Sequence, residues 1–132
     1  MISTKGRYAL RVMIDIAESR QDGYIPLKDI ATRQEISKKY LEIIVKDLVK
    51  AKMLKGSSGK GGGYRLCKLP NEYTVGEILE VTEGPLISVA CLAPDADKCP
   101  RAASCKTLPL WTEFDNYVHK FFFSKKLSDL IK

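Results

Sequence analysis

Residues 36–66 read ISKKYLEIIVKDLVKAKMLKGSSGKGGGYRL, and this stretch decides the fold. Ser37 is placed to cap a helix whose apolar positions Leu41, Ile44, Val45 and Leu48 follow the i, i+3, i+4, i+7 spacing of a buried helical face. Its first turn then exposes Lys38, Lys39 and Tyr40. Beyond the helix, Met53–Lys55 and Tyr64–Cys67 are short strand candidates flanking the glycine-rich run GSSGKGGG, residues 56–63. Glycines permit positive backbone φ and close approach to a sugar-phosphate backbone, and Lys60 places a charge at the hairpin tip. A nucleotide phosphate loop is excluded. It needs four residues between its glycines and a Ser or Thr after the lysine, whereas two residues separate Gly56 from Gly59 and Gly61 follows Lys60.

Upstream, Leu27–Gln34 reads as a short helix with Leu27, Ile30 and Ala31 on one face. Joined tightly to the helix after Ser37, it makes a helix-turn-helix, in which the N-terminal residues of the second helix meet base edges. An isolated SKKY segment is more often a solvated lysine pair beside a half-buried tyrosine; the glycine-tipped hairpin behind it, laid out as a wing, favours the DNA reading. Further back, Ser3 caps a first helix carrying Ala9, Leu10, Met13, Ile14, Ile16 and Ala17, which ends near Arg20. Gln21, Asp22 and Gly23 form a turn, and Tyr24–Pro26 adds a short extended piece.

Downstream, Thr74 and Glu77 fit a capping box, so a helix runs from Val75 to about Val81 before Gly84 and Pro85 break it. The segment Ser88–Lys106 is irregular and carries Cys91, Cys99 and Cys105, with seven residues in the first interval and five in the second. Clustered soft thiolates suit zinc or an iron-sulfur cluster. Cys67 reads as buried packing and the single His119 as structural. From Leu108 onward, Leu110, Trp111, Phe114, Tyr117, Val118, Phe121 and Phe122 form an aromatic stripe at helical spacing. A chain this small has little core left to cover such a face, so half of it is expected at a partner subunit. Ser124 is read as the cap of a last short helix through Leu127, Leu130 and Ile131.

Composition bounds these readings. The 132 residues, 45% apolar and 29% charged, suffice for one compact core. The net charge of +6 is unevenly spread: residues 1–68 carry 15 Lys and Arg against 7 Asp and Glu, and the remainder 7 against 9. The basic half is the expected nucleic-acid face. No apolar run approaches the roughly 20 residues that span a bilayer, and the N-terminus lacks a signal-peptide core, so a soluble cytoplasmic protein without a membrane partner is expected. A reducing compartment turns the cysteines from disulfides to metal binding or redox sensing.

In ISTKGRYAL, ISKKYLEIIVKDLVKAKML, GKGGGYRL, TVGEILEVTEGP and the three-cysteine loop, the chain resembles the Rrf-type transcription regulators, which include the IscR, NsrR and CymR types. These features cover most of the chain in the family's order. The resemblance implies a mainly α fold with a small β-hairpin: a winged helix-turn-helix with a long C-terminal helix that crosses between the subunits of a homodimer. It implies promoter DNA as partner, with the second helix of the motif in the major groove and the wing in the minor groove. Ser37, Lys39, Tyr40 and Glu42 then align with the base-reading part of the helix, Glu42 as an acceptor for a cytosine amino group. The sequence departs from the IscR type at Ser58, which stands for an arginine, and at Lys60, which stands for a proline. The IscR type completes its cluster with a histidine where this chain has Leu108; the NsrR type uses an aspartate where it has Arg7. The fourth ligand stays open among Asp95, Asp97, the other subunit and an exogenous molecule.

The leading expectation is therefore a homodimeric regulator, a repressor in sign, controlled by an iron-sulfur cluster of 2Fe-2S or 4Fe-4S type on Cys91, Cys99 and Cys105. It would sense iron-sulfur, nitric oxide or redox status. The expected contacts to DNA are Lys5, Arg7, Ser37, Lys38, Lys39, Tyr40, Glu42, Ser58, Lys60, Gly61 and Gly62, and those of the dimer Leu110, Trp111, Phe114, Val118, Phe121 and Phe122. The expected division is residues 1–83 for DNA, 84–106 for the cluster and 107–132 for dimerisation. One alternative keeps the family but replaces the cluster by thiol oxidation or a regulatory protein partner. A more distant one, a small zinc or thiol enzyme, meets the lack of any catalytic pair or Cys-x-x-Cys motif.

Overall fold

The computed structural model describes residues 2–19 and 23–131. The first-helix ending at Arg20 and the Gln21 and Asp22 part of the expected turn lie outside those residues. Helix α1 (Thr4–Glu18) opens as its sequence demands: Ser3 is extended and its hydroxyl accepts from the Gly6 N–H at 3.2 Å. Helix α2 (Leu27–Gln34) ends where Glu35 turns left-handed at φ 54°. Helix α3 (Lys38–Lys50) follows, with the Ser37 hydroxyl accepting from the Tyr40 N–H at 3.2 Å. Strands β1 (Leu54–Ser57) and β2 (Gly63–Leu66) form an antiparallel hairpin in the register Leu54↔Leu66, Gly56↔Tyr64. Helix α4 (Val75–Glu83) carries the full Thr74–Glu77 capping box, and α5 (Leu108–Ser124) is the longest helix among the described residues.

The main core lies where α1, α2 and α3 meet. Val12, Met13, Ile30, Leu41, Ile44 and Leu48 are fully enclosed there, each worth about 1.5–3 kcal/mol of burial. Asp15 is buried among them at 6% exposure and accepts three bonds from the Arg33 guanidinium, the shortest 2.7 Å, and one from the Gln34 amide at 2.8 Å. Gln34 accepts in turn from Arg11 at 3.1 Å. The bonds to Asp15 also raise the Arg33 guanidinium above its ordinary value. A buried charge is tolerable only when paired in this way, and the pairing bolts the end of α2 to α1.

Tyr73 plays a similar part beneath the hairpin. Its buried hydroxyl donates to the Met53 carbonyl at 2.7 Å and accepts from the N–H groups of Cys67 and Lys68 at 2.9 and 3.3 Å. Burial pushes its phenol up. After α5 the chain returns to this point: the Val75 N–H bonds the Lys125 carbonyl at 2.8 Å, the Leu127 N–H bonds the Tyr73 carbonyl at 3.0 Å, and Leu127 is fully buried.

Two local expectations are corrected. Cys67 is exposed, because side chains alternate across a strand and Leu66 takes the inward position. Ser124 closes α5, its hydroxyl donating to the Phe121 carbonyl at 2.7 Å, and the last turn is a 3₁₀ segment, Leu127–Asp129, capped by Asp129 on the Lys126 N–H. The extended Lys125, needed for the return to Val75, separates the two.

Candidate functional site

Two regions carry the candidate chemistry. The first is the surface made by α3 and the hairpin. Lys38, Lys39 and Glu42 project from the first turns of α3 and are exposed, as are Ser58, Lys60 and Gly61 at the hairpin tip. Gly62 is half-buried; a Cβ there would stand 2.3 Å from the Ser57 carbonyl oxygen, so only glycine closes this turn. Gly63 holds φ 148° with its Cα against the Ile25 carbonyl. There the Ile25 and Tyr64 backbones exchange two hydrogen bonds, 2.8 and 2.9 Å, which fasten the segment before α2 to β2. A groove of about 440 Å³ is left between Pro26–Lys28, the Lys38 and Glu42 face of α3, and the base of the hairpin at Gly62–Tyr64.

The other expected contact residues are more committed. The Ser37 hydroxyl serves as the helix cap. The Tyr40 ring meets Tyr8 edge-on at 5.6 Å, and Arg11 lies 5.1 Å over Tyr8, so Tyr40 is held by α1. Lys5 pairs with Asp47 of α3 at 2.7 Å, which ties the two helices and spends part of its charge. Arg7 is exposed and donates to the Thr4 hydroxyl at 3.2 Å. Sequence reasoning missed Tyr73 and the Asp15 pair, which set the angle of this surface from behind. A lone Asp in the apolar run of α1 was the available signal for the second.

The second region is the loop between α4 and α5. Cys91 is exposed, while Cys99 and Cys105 are half-buried. Among the described residues, no three His, Cys, Asp or Glu side chains converge closely enough to hold a metal ion. The donor chemistry suits a thiolate-bound cluster, yet the single chain does not gather the donors, and Asp95 and Asp97 do not complete them. The Cys105 sulfur stands 3.5 Å from the Thr107 hydroxyl. That contact, then the N–H groups of Thr107 and Leu108 at the start of α5, hold its thiol below the ordinary range, with Arg101 adding to the effect. A lowered thiol is a better nucleophile and a better metal ligand at neutral pH.

Helix α5 divides the aromatic stripe. Val118 and Phe122 pack inward on Val75, Leu79 and Leu86. Phe123, which the stripe did not include, lies against Gly76 and stacks on His119 at 4.3 Å. Trp111 is half-buried, and Leu110, Phe114, Tyr117 and Phe121 stand 44–66% exposed. Among the described residues no helix is long and apolar enough to cross a membrane.

Comparison with known proteins agrees with this architecture. Residues 2–132 match the Rrf2 family, described as an iron-dependent transcriptional regulator. The chain is 34% identical over 130 residues to the HTH-type transcriptional regulator IscR of Aliivibrio salmonicida, covering 98% of this chain and 76% of that protein. Against the IscR of Photobacterium profundum it is 35% identical, covering 99% and 75%. Among solved structures, CymR, the global cysteine regulator of B. subtilis, superposes with a TM-score of 0.78 at 36% identity, covering 98% of this chain and 95% of that one. The T. potens IscR superposes at 0.77 with 32% identity, covering 98% and 85%.

Proposed function

Since the chain belongs to the Rrf2 family of transcriptional regulators, a winged-helix family of DNA-binding proteins rather than of enzymes, we propose that it works as a homodimeric repressor of promoter DNA whose three-cysteine loop is its input. The observation that carries the DNA-reading part is the single surface on which the exposed first turn of α3 stands beside the glycine-tipped hairpin. In this reading Lys38, Lys39 and Glu42 enter the major groove, where Glu42 accepts from a cytosine amino group, and Lys60 follows the backbone with the wing. The exposed Leu110, Phe114 and Phe121 face supports pairing of two α5 helices. Functionally the chain then divides into residues 1–83 for DNA, 84–106 for the input and 107–132 for assembly, as a cytoplasmic regulator with no membrane partner. A promoter occupied by such a dimer is closed to polymerase.

For the input we infer an iron-sulfur cluster on Cys91, Cys99 and Cys105, supplying sensitivity to iron-sulfur, nitric oxide or redox status. Three thiols on one segment outside both cores support it. A second reading, direct thiol chemistry at Cys105 or control by a partner protein, is favoured by the lowered thiol. Anaerobic purification separates the two. Visible absorbance between about 300 and 450 nm with acid-labile sulfide is expected of a cluster protein, and colourless protein without sulfide rejects it. For the DNA reading, duplexes selected from a random pool should bind with affinity that falls steeply with salt. Lys60→Ala should weaken every sequence alike, and Glu42→Ala should relax specificity. Unchanged affinity of Lys60→Ala at a selected operator rejects the wing assignment.

A further inference from the structure

We infer that Lys28, at the start of α2, is a DNA-backbone contact: it holds a phosphate of the strand that passes between the major-groove helix and the wing. The inference rests on the DNA-binding reading above and adds to it a residue from a third element.

The groove of about 440 Å³ is bounded by α2, α3 and the hairpin base. It opens between the two features proposed to reach successive grooves of a duplex, so a sugar-phosphate strand must pass over it. Of the charged side chains lining it, Lys38 and Glu42 stand four apart on α3 and are therefore neighbours on one helical face, where they offset one another. Lys28 is the remaining charge. It is exposed and has no ion pair among the described residues. The groove is thus positive because of Lys28, and a side chain on a long flexible stem suits a point contact to phosphate.

The surroundings fix the position. Paired backbone bonds between Ile25 and Tyr64 lock the approach to α2 onto β2, so the lysine and the wing move together. Gly62 and Gly63 form the opposite wall, and neither can carry a Cβ without striking a backbone carbonyl. That wall therefore stays bare backbone, which a strand can approach closely.

The test uses the full chain and duplexes selected by the wild type, with random duplexes alongside, measured by fluorescence anisotropy across a salt series. Lys28→Ala should weaken selected and random duplexes by the same factor and flatten the slope of log affinity against log salt. Each lost phosphate contact is worth about 0.9 in that slope, so a dimer should lose nearly 2. Lys28→Arg should restore it. Lys50→Ala, at the far end of α3, serves as the charge control, and thermal unfolding checks that each variant folds. A wild-type slope for Lys28→Ala overturns the inference while leaving the regulator reading intact. A loss confined to selected duplexes overturns it too, by making Lys28 a base reader. Failure of the wild type to bind any duplex overturns the regulator reading and this inference together.

Discussion

The surface around α3 and the loop between α4 and α5 are built on opposite plans. Behind α3, the side chains that face inward are fully enclosed, and every turn of the approach is fastened: Ser37 caps, Asp15 and Gln34 bolt α2 to α1, and Tyr73 clasps both ends of the hairpin. Between Ala93 and Thr107, no residue joins either core, and the backbone is held by isolated turn bonds such as Ala102 N–H to the Cys99 carbonyl at 3.0 Å. In the reading proposed above, the surface offered to a duplex is fixed before it meets one. The cysteine segment is left to its own local turns.

Substitutions test that contrast in descending size. Leu48→Ala removes a fully buried side chain from the main core and should cost about 2–5 kcal/mol in urea unfolding; a loss below 1 kcal/mol would mean the core is looser than its burial implies. Tyr73→Phe strips three backbone groups of their partner and should cost about 1–3 kcal/mol. Hydrogen exchange at Cys67 and Lys68 should rise with it. Replacing Cys91, Cys99 and Cys105 together by Ser in the unliganded chain should move stability by no more than about 0.5 kcal/mol, since none of them supports a core. A larger loss would show the loop to be structural. Smallest in energy is the titration of Cys105. Its depressed thiol places the thiolate at lower pH, so alkylation of a variant retaining only that cysteine should rise with pH through a midpoint below that of a variant retaining only Cys91. Thr107→Val should move the midpoint upward, and an unmoved midpoint would discard the Thr107 hydroxyl as its cause.

Legibility followed the distance over which each feature is decided. The caps at Ser3, Ser37 and Thr74 involve partners three residues away and could be read directly. So could the winged-helix layout, because the α3 periodicity and the glycine run are local patterns. The Asp15–Arg33 pair spans 18 residues, and the Tyr73 hydroxyl reaches back 20 to Met53, so neither has a local signature. Cys67 was misread because its exposure depends on which face of a two-stranded hairpin meets the core. The stripe on α5 was visible as a stripe, but its division into Val118 and Phe122 inside and Leu110, Phe114 and Phe121 outside depends on where Val75, Leu79 and Leu86 lie. For the cysteines, spacing named three candidate donors, and among the described residues no three such side chains converge.

The separation of the cysteine loop from both cores also bears on descent. Loop closure costs grow slowly with length, so residues can be gained or lost between Cys91 and Cys105 without disturbing a single buried side chain. Length can therefore change in this segment without repacking either core. One scaffold of this kind can give rise to a lineage of proteins that answer different questions in the same grammar.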